Sequence, residues 1–133
     1  MTDKNIETVR AFLGAFQGGD VKTSLGTLAD DVTFVAAGQP GTIPWAGRHK
    51  GVAAAERVWG LIEENTTYES FEVLDLLSAG DKVVAILKER WRAKPTGRTC
   101  EQEYAIVFTL RGGKVASFRS YDDTAAEAAA FAR

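Results

Sequence analysis

Three side chains of this 133-residue chain have a chemistry that their neighbours do not share: Glu89, Asp122 and Tyr104. Between Val83 and Ala93 the odd positions read Val83, Ala85, Leu87, Glu89, Trp91 and Ala93, while Lys88, Arg90 and Arg92 take the late even ones. A strand with that alternation turns its odd positions inward. It therefore places one carboxyl group between Leu87 and Trp91 on an apolar face. A carboxyl there is a candidate general acid or base; the plainer reading is a mouth-facing carboxylate bonded to Gln102. Asp122 is a second candidate acid, although the neighbouring Asp123 has the type for a helix N-cap. Tyr104 offers a hydroxyl to a substrate oxygen, or is a core aromatic whose hydroxyl finds a partner. His49, in Arg48-His49-Lys50-Gly51, reads as a solvated loop or helix-start residue. One His and one Cys make no sequence-obvious zinc site, so no metal or cofactor is expected. Cys100 reads as a small buried hydrophobe.

These residues need strands to position them, and the turns fix the pairing. With Pro95-Thr96 as a two-residue turn, Arg90 meets Glu101 and Lys88 meets Glu103 on one face. On the other face Leu87 meets Tyr104, Glu89 meets Gln102 and Trp91 meets Cys100. The opposite charges were no input to that register, so their match supports it. The last hairpin admits two registers. A Gly112-Gly113 loop turns Val115, Ser117, Arg119 and Tyr121 inward; an Arg111-Gly112-Gly113 loop turns Ala116, Phe118, Ser120 and Asp122 inward. In the second, Glu89 and Asp122 flank Gln102 at about 10 Å from each other, given the spacing of strands. A small molecule fits between them.

The supporting elements run from helix to strand. Ile6, Val9, Leu13 and Phe16 recur at helical spacing, and Gln17-Gly18-Gly19 ends that helix. Asp20 caps a short helix carrying Val21, Leu25 and Leu28, which Asp30-Asp31 breaks. A β-rich run covers 32–37, a long loop 38–51, and a third helix 52–64. From Tyr68 the period becomes two, with β segments near 68–77, 82–93, 98–110 and 114–121. Thr124-Ala125-Ala126-Glu127 has the pattern of a capping box before an alanine-rich last turn or two of helix. Helices followed by a meander argue for one α+β domain spanning 1–133, its helices covering one face of a curved sheet. The outer face still carries Val84 and Ile86.

Composition limits the function. The chain is 45% hydrophobic and 26% charged with a formal charge of −2, which argues against disorder and nucleic-acid binding. No apolar run approaches the roughly 18 residues of a membrane helix, and no secretory signal is visible at the start. A cytoplasmic setting is expected.

The order of elements resembles the SnoaL-like, ketosteroid-isomerase-like families of the nuclear transport factor 2 superfamily. The stretches that carry the resemblance include Phe16-Gln17-Gly18-Gly19-Asp20, Leu28-Ala29-Asp30-Asp31-Val32 and Ile43-Pro44-Trp45-Ala46-Gly47. Pro95-Thr96-Gly97-Arg98 and Phe118-Arg119-Ser120-Tyr121-Asp122-Asp123 add to it. The resemblance implies a cone-shaped, curved mixed or antiparallel sheet covered by three N-terminal helices around an apolar cavity. It also implies homodimers packed through the sheet, and it favours the register with Ser120 and Asp122 inside. Residue by residue, the known chemistries of the family are not retained. The isomerase positions for an acidic base and a phenol read Ala36 and Phe12, and its second acid falls near Tyr104 or Ala105. The epoxide-hydrolase positions read Leu87, Glu89 and Ser120, with Phe34 and Ala36 where that chemistry holds water.

The expectation is therefore a small, largely apolar ligand in the cone, with cofactor-free acid/base chemistry by Glu89, Asp122 and Tyr104. The non-catalytic alternative is a binding or accessory protein on the same scaffold. Phe12, Phe34, Trp45 and Trp59 are expected around the ligand from the helices, first strand and loop. Leu87, Trp91, Gln102, Phe118 and Ser120 are expected around it from the later strands.

Overall fold

The computed structural model describes residues 3–133. The order is α1 (Lys4–Gln17), α2 (Val21–Gly26), β1 (Leu28–Ala36), β2 (Gly47–Lys50), α3 (Val52–Asn65), β3 (Thr66–Ala79), β4 (Lys82–Ala93), β5 (Thr99–Arg111), β6 (Lys114–Tyr121) and α4 (Thr124–Phe131). Among the described residues the strands form one sheet in the order β2-β1-β6-β5-β4-β3. The sheet is mixed: β1 runs parallel to β6, and the other pairs are antiparallel. It is curved and unclosed, with helices against its inner face.

Caps expected from sequence hold the helix starts. Asp20 accepts from the Thr23 N–H at 3.1 Å, and Asp123 accepts from the Ala126 N–H at 3.0 Å. The second of these replaces the expected capping box. Asp123, not Thr124, is the N-cap of α4, which frees Glu127 to turn inward. Two further expectations are corrected. Asp30 and Asp31 lie within β1, which starts at Leu28 and tolerates them on its exposed side. The long loop contains β2, which pairs with β1 and puts His49 opposite Phe34. His49 is therefore no helix-start residue. Its ring stacks on Phe34 at 4.8 Å, and its Nε2 lies 3.0 Å from the Trp45 carbonyl oxygen.

The β4–β5 register is the one the charges indicated: Arg90 opposite Glu101, Lys88 opposite Glu103 and Glu89 opposite Gln102. The connection is longer than two residues. Arg98 O accepts from the Ala93 N–H, and the Gly97 N–H returns to Ala93 O, so Lys94 to Gly97 form the loop without moving the register. Arg90 bonds both Glu101 and Glu69 at 3.0 Å on the outer face.

Bulges set which side chains face inward. In β3, Glu69 and Leu74 are the extra residues, so Tyr68 faces Trp91 and Phe71 faces Glu89. Both aromatic rings thereby point to one face although they are three residues apart. In β6 the turn is Gly112-Gly113, with φ of 59° and 79°, the positive angles a two-residue hairpin demands. Arg111 pairs with Lys114 and Leu110 with Val115; Ala116 is then extra, and Thr109 pairs with Ser117. The hairpin thus joins both anticipated registers. Val115 is inside before the bulge, and Phe118, Ser120 and Asp122 are inside after it.

The core lies between α1, α3 and the inner face of β4–β6. Phe12 packs edge-on against Trp59 at 5.5 Å and Phe108 at 5.4 Å. Ile43 and Trp45 anchor the loop in that core. Gly38 is needed there: its φ is +114°, and a Cβ would come within 2.5 Å of Ile43 Cδ1.

Candidate functional site

A cavity of about 100 Å³ opens between the helices and the sheet. Phe12 from α1, Phe34 from β1, Trp45 from the loop, Trp59 from α3 and Phe118 from β6 form much of its wall. Its polar end gathers Tyr68, Glu89, Tyr104, Ser120, Asp122 and Glu127. Leu87, Trp91 and Gln102, expected on the wall, stand outside it. Leu87 and Trp91 are fully buried behind it, and Trp91 packs edge-on to Trp45 at 5.6 Å. Gln102 is held behind the carboxyl groups it bonds.

Glu89 is 3% exposed. Its Oε1 accepts from the Tyr104 hydroxyl at 2.7 Å and the Tyr68 hydroxyl at 3.3 Å. Its Oε2 accepts from Trp91 Nε1 and Gln102 Nε2, each at 2.8 Å. Four neutral donors therefore meet one carboxylate, about its full accepting capacity. Burial, and after it the charge of Glu89, hold the Tyr68 and Tyr104 hydroxyls well above their ordinary range. Both stay protonated, and each directs its O–H to Glu89.

Gln102 links this group to a second one. Its Nε2 also donates to Glu127 Oε2 at 3.2 Å, and its Oε1 accepts from the Asp123 N–H at 2.9 Å. Those bonds fix the amide orientation and tie the start of α4 to β5. The end of α4 is tied by the Thr96 hydroxyl, which donates to Ala130 O. Glu127 is thus pressed into the cavity wall at 2% exposure.

Asp122 and Glu127 are neighbouring buried carboxyl groups, and each perturbs the other. Asp122 Oδ1 and Glu127 Oε1 are both buried and meet no hydrogen-bond partner. Two carboxylates side by side and out of water repel each other, so ionising both is disfavoured. Burial raises the Asp122 carboxyl. Burial first, and then the charge of Asp122, push Glu127 up from 4.5 to about 9. Glu127 thus keeps its proton at neutral pH.

Sequence reasoning missed Tyr68 and Glu127. Tyr68 needs the bulge at Glu69, which alternation does not reveal. Glu127 matched a capping pattern that Asp123 fulfils instead; the adjoining Asp122-Asp123 pair was the signal that the cap could move by one residue. Cys100 lies against Trp91 and is 1% exposed; burial pushes its thiol up to about 12, so it is no nucleophile. Among the described residues no three His, Cys, Asp or Glu side chains converge as a metal-binding set. No described helix is long and apolar enough to cross a membrane.

A helix-covered, curved six-stranded sheet with a polar group at the end of an aromatic cavity defines a fold class, and the comparisons agree. An NTF2-like protein from Burkholderia xenovorans LB400 is 30% identical, with a TM-score of 0.85, over 99% of this chain and 98% of that one. Bal32a, from a soil-derived mobile gene cassette, is 27% identical with a TM-score of 0.85 over 97% of each chain. An LEH-like epoxide hydrolase from M. tuberculosis shares the fold at 19% identity and a TM-score of 0.75, over 96% of this chain and 89% of that one. No match was found among curated proteins. Residues 9–118 match the SnoaL-like domain, and the chain belongs to that family.

Proposed function

We propose that the chain binds a small, largely apolar molecule in the cavity and moves a proton on it without a cofactor, in a reaction of the isomerase, cyclase or hydratase type. The observation that carries this reading is the Asp122–Glu127 pair, two buried carboxyl groups, both raised by burial, at the end of an aromatic pocket. A group poised near the working pH is what general acid–base catalysis uses. Asp122, with Glu127 behind it, gives and takes the proton. Glu89 has no free lone pair for that task, so it positions Tyr68 and Tyr104. Those hydroxyls keep lone pairs toward the ligand. The buried, unpaired Cys100 supports a cytoplasmic setting.

The non-catalytic alternative draws its support from the same saturation of Glu89: four hydrogen bonds are also how a structural carboxylate is satisfied. Exchange of the α-hydrogens of cyclopentanone for deuterium, followed by NMR, separates the readings. The catalytic reading expects the protein to accelerate exchange, and Asp122→Asn to remove about 10²–10⁴-fold of that acceleration. Binding without acceleration would favour the accessory role. No binding would remove both.

A further inference from the structure

The cavity wall has a charge that an apolar ligand alone does not explain. Three carboxyl groups, Glu89, Asp122 and Glu127, face it, and among the described residues lining it there is no Lys, Arg or His. The basic residues of β4 point away: Arg90 and Arg92 bond Glu69 on the opposite face. Glu89 is met by neutral donors only, and no ion pair with a basic side chain reaches Asp122 or Glu127 among the described residues. The cavity thus carries negative charge with no countercharge beside it.

Its hydrogen-bonding supply is equally one-sided. Glu127 is 2% exposed, and its Oε1 and Asp122 Oδ1 meet no donor. Tyr68 and Tyr104 have given their hydrogens to Glu89 and retain only acceptor lone pairs toward the cavity. The Ser120 hydroxyl oxygen accepts from the Ala37 N–H at 3.1 Å. The unspent buried donor on the wall is Trp59 Nε1. An ammonium group is the complement of such a wall, with donors and no acceptor. Around these acceptors stand the rings of Phe12, Phe34, Trp45 and Phe118, whose faces attract a cation.

We propose that the cavity selects a small organic cation, an alkylammonium with an apolar body, over a neutral or anionic molecule of the same shape. The inference rests on the reading of the cavity as a ligand site and names the ligand's class. At about 100 Å³ the space suits roughly four non-hydrogen atoms, about a tert-butyl group, since about 150 Å³ holds benzene. The unpartnered Asp122 Oδ1 receives an ammonium hydrogen, and the rings hold the alkyl groups. An alkyl carboxylate of similar size meets only like charge and filled acceptors.

Three probes that share a tert-butyl group, the first two of nearly one shape, test this: tert-butylammonium, tert-butanol and the larger trimethylacetate, titrated calorimetrically into the intact protein at pH 7. The Trp59 indole N–H resonance reports whether binding is in the cavity. The expected result is that tert-butylammonium shifts that resonance and binds about thirtyfold more tightly than tert-butanol, the factor a desolvated cation over aromatic faces supplies. Trimethylacetate is expected not to bind. In Asp122→Asn, with circular dichroism unchanged, the preference for the ammonium is expected to fall at least tenfold while tert-butanol binds as before. If tert-butanol binds wild type within threefold of the ammonium, the cation reading is overturned and the cavity reading survives. If no probe moves the Trp59 resonance, the cavity is not a ligand site and both readings fall.

Discussion

Replacing Glu127 by glutamine tests the raised Glu127 carboxyl without any knowledge of the ligand. A glutamine amide copies a protonated carboxyl: its N–H can donate to Asp122 Oδ1, and its oxygen can accept from Gln102 Nε2 as Glu127 Oε2 does. Shape and bonds persist while the titration vanishes. In wild type the folded chain holds the Glu127 proton up to about 9, and the unfolded chain releases it near 4.5. The contribution of this proton to stability is therefore fully present below pH 4.5. It declines as pH rises and is lost as pH passes the folded value. At about 1.4 kcal/mol per pH unit, carrying that proton from 4.5 to neutral pH removes about 3 kcal/mol, and to pH 9 about 6 kcal/mol. Asp122, also raised, acts with the same sign. Urea unfolding between pH 5 and 9 is the assay. Glu127→Gln is expected to match wild type near pH 5 and to exceed it by about 3 kcal/mol at pH 7, with the gap still widening at pH 8.5. Glu56→Gln, on the exposed side of α3, is the control and should track wild type throughout. Parallel wild-type and Glu127→Gln profiles over the whole range would refute the raised Glu127 carboxyl.

Other perturbations reach the same framework from different sides. Gln102→Ala removes a donor from Glu89, a donor from Glu127 and the acceptor of the Asp123 N–H; it should lower stability by several kcal/mol, at about 1–3 for each stranded buried group, with the fastest hydrogen exchange in α4. Isomerisation of a Δ5-ketosteroid and hydrolysis of a terpene epoxide should both stay at background, because Phe12, Ala36, Leu87 and Ser120 stand where those chemistries need other groups; turnover with either substrate would overturn that residue mapping. The outer sheet face, with Val84 and Ile86 half-buried and Leu77 and Tyr121 exposed at 53% and 56%, should pack against a second copy. A monomer mass by light scattering at micromolar concentration would contradict it.

Where the sequence was legible, a simple period or a charge match carried the information. The odd face of β4 and its register with β5 were readable because Arg90-Glu101 and Lys88-Glu103 pair on one side only when Glu89 meets Gln102 on the other. Helices α1 and α3 were readable from their apolar stripes and glycine ends. What was not legible is what breaks a period. The extra residues Glu69, Leu74 and Ala116 look like any other strand residues, and a bulge is settled by the packing of the curved sheet rather than by the local sequence. Ala116 shows the effect: without it, no single alternation can put both Val115 and Phe118 inside. The short strand β2 was hidden for a related reason. Gly47-Arg48-His49-Lys50 has no apolar alternation, because it pairs at an edge with both termini held by loop and helix.

The two acidic groups of the cavity differ by what the fold supplies to each. Glu89 sits at mid-strand, where residues opposite and adjacent across β3, β4 and β5 can all send donors, and four do. Asp122 and Glu127 sit where β6 gives way to α4, and the strand ladder that would bring further donors has ended at Tyr121. Gln102 is what reaches Glu127, and burial with so few donors raises both carboxyls. One carboxylate is thereby spent on holding tyrosines still, and the other pair is left with acceptors and a labile hydrogen facing the cavity. Environment assigns different roles to like groups in this way elsewhere. The assignment is not made independently at the two places. Gln102 divides its amide between them, so any change that draws its Nε2 toward Glu127 weakens a bond to Glu89, and a ligand that takes the free oxygens of the pair is felt at Tyr68 and Tyr104 through that single side chain.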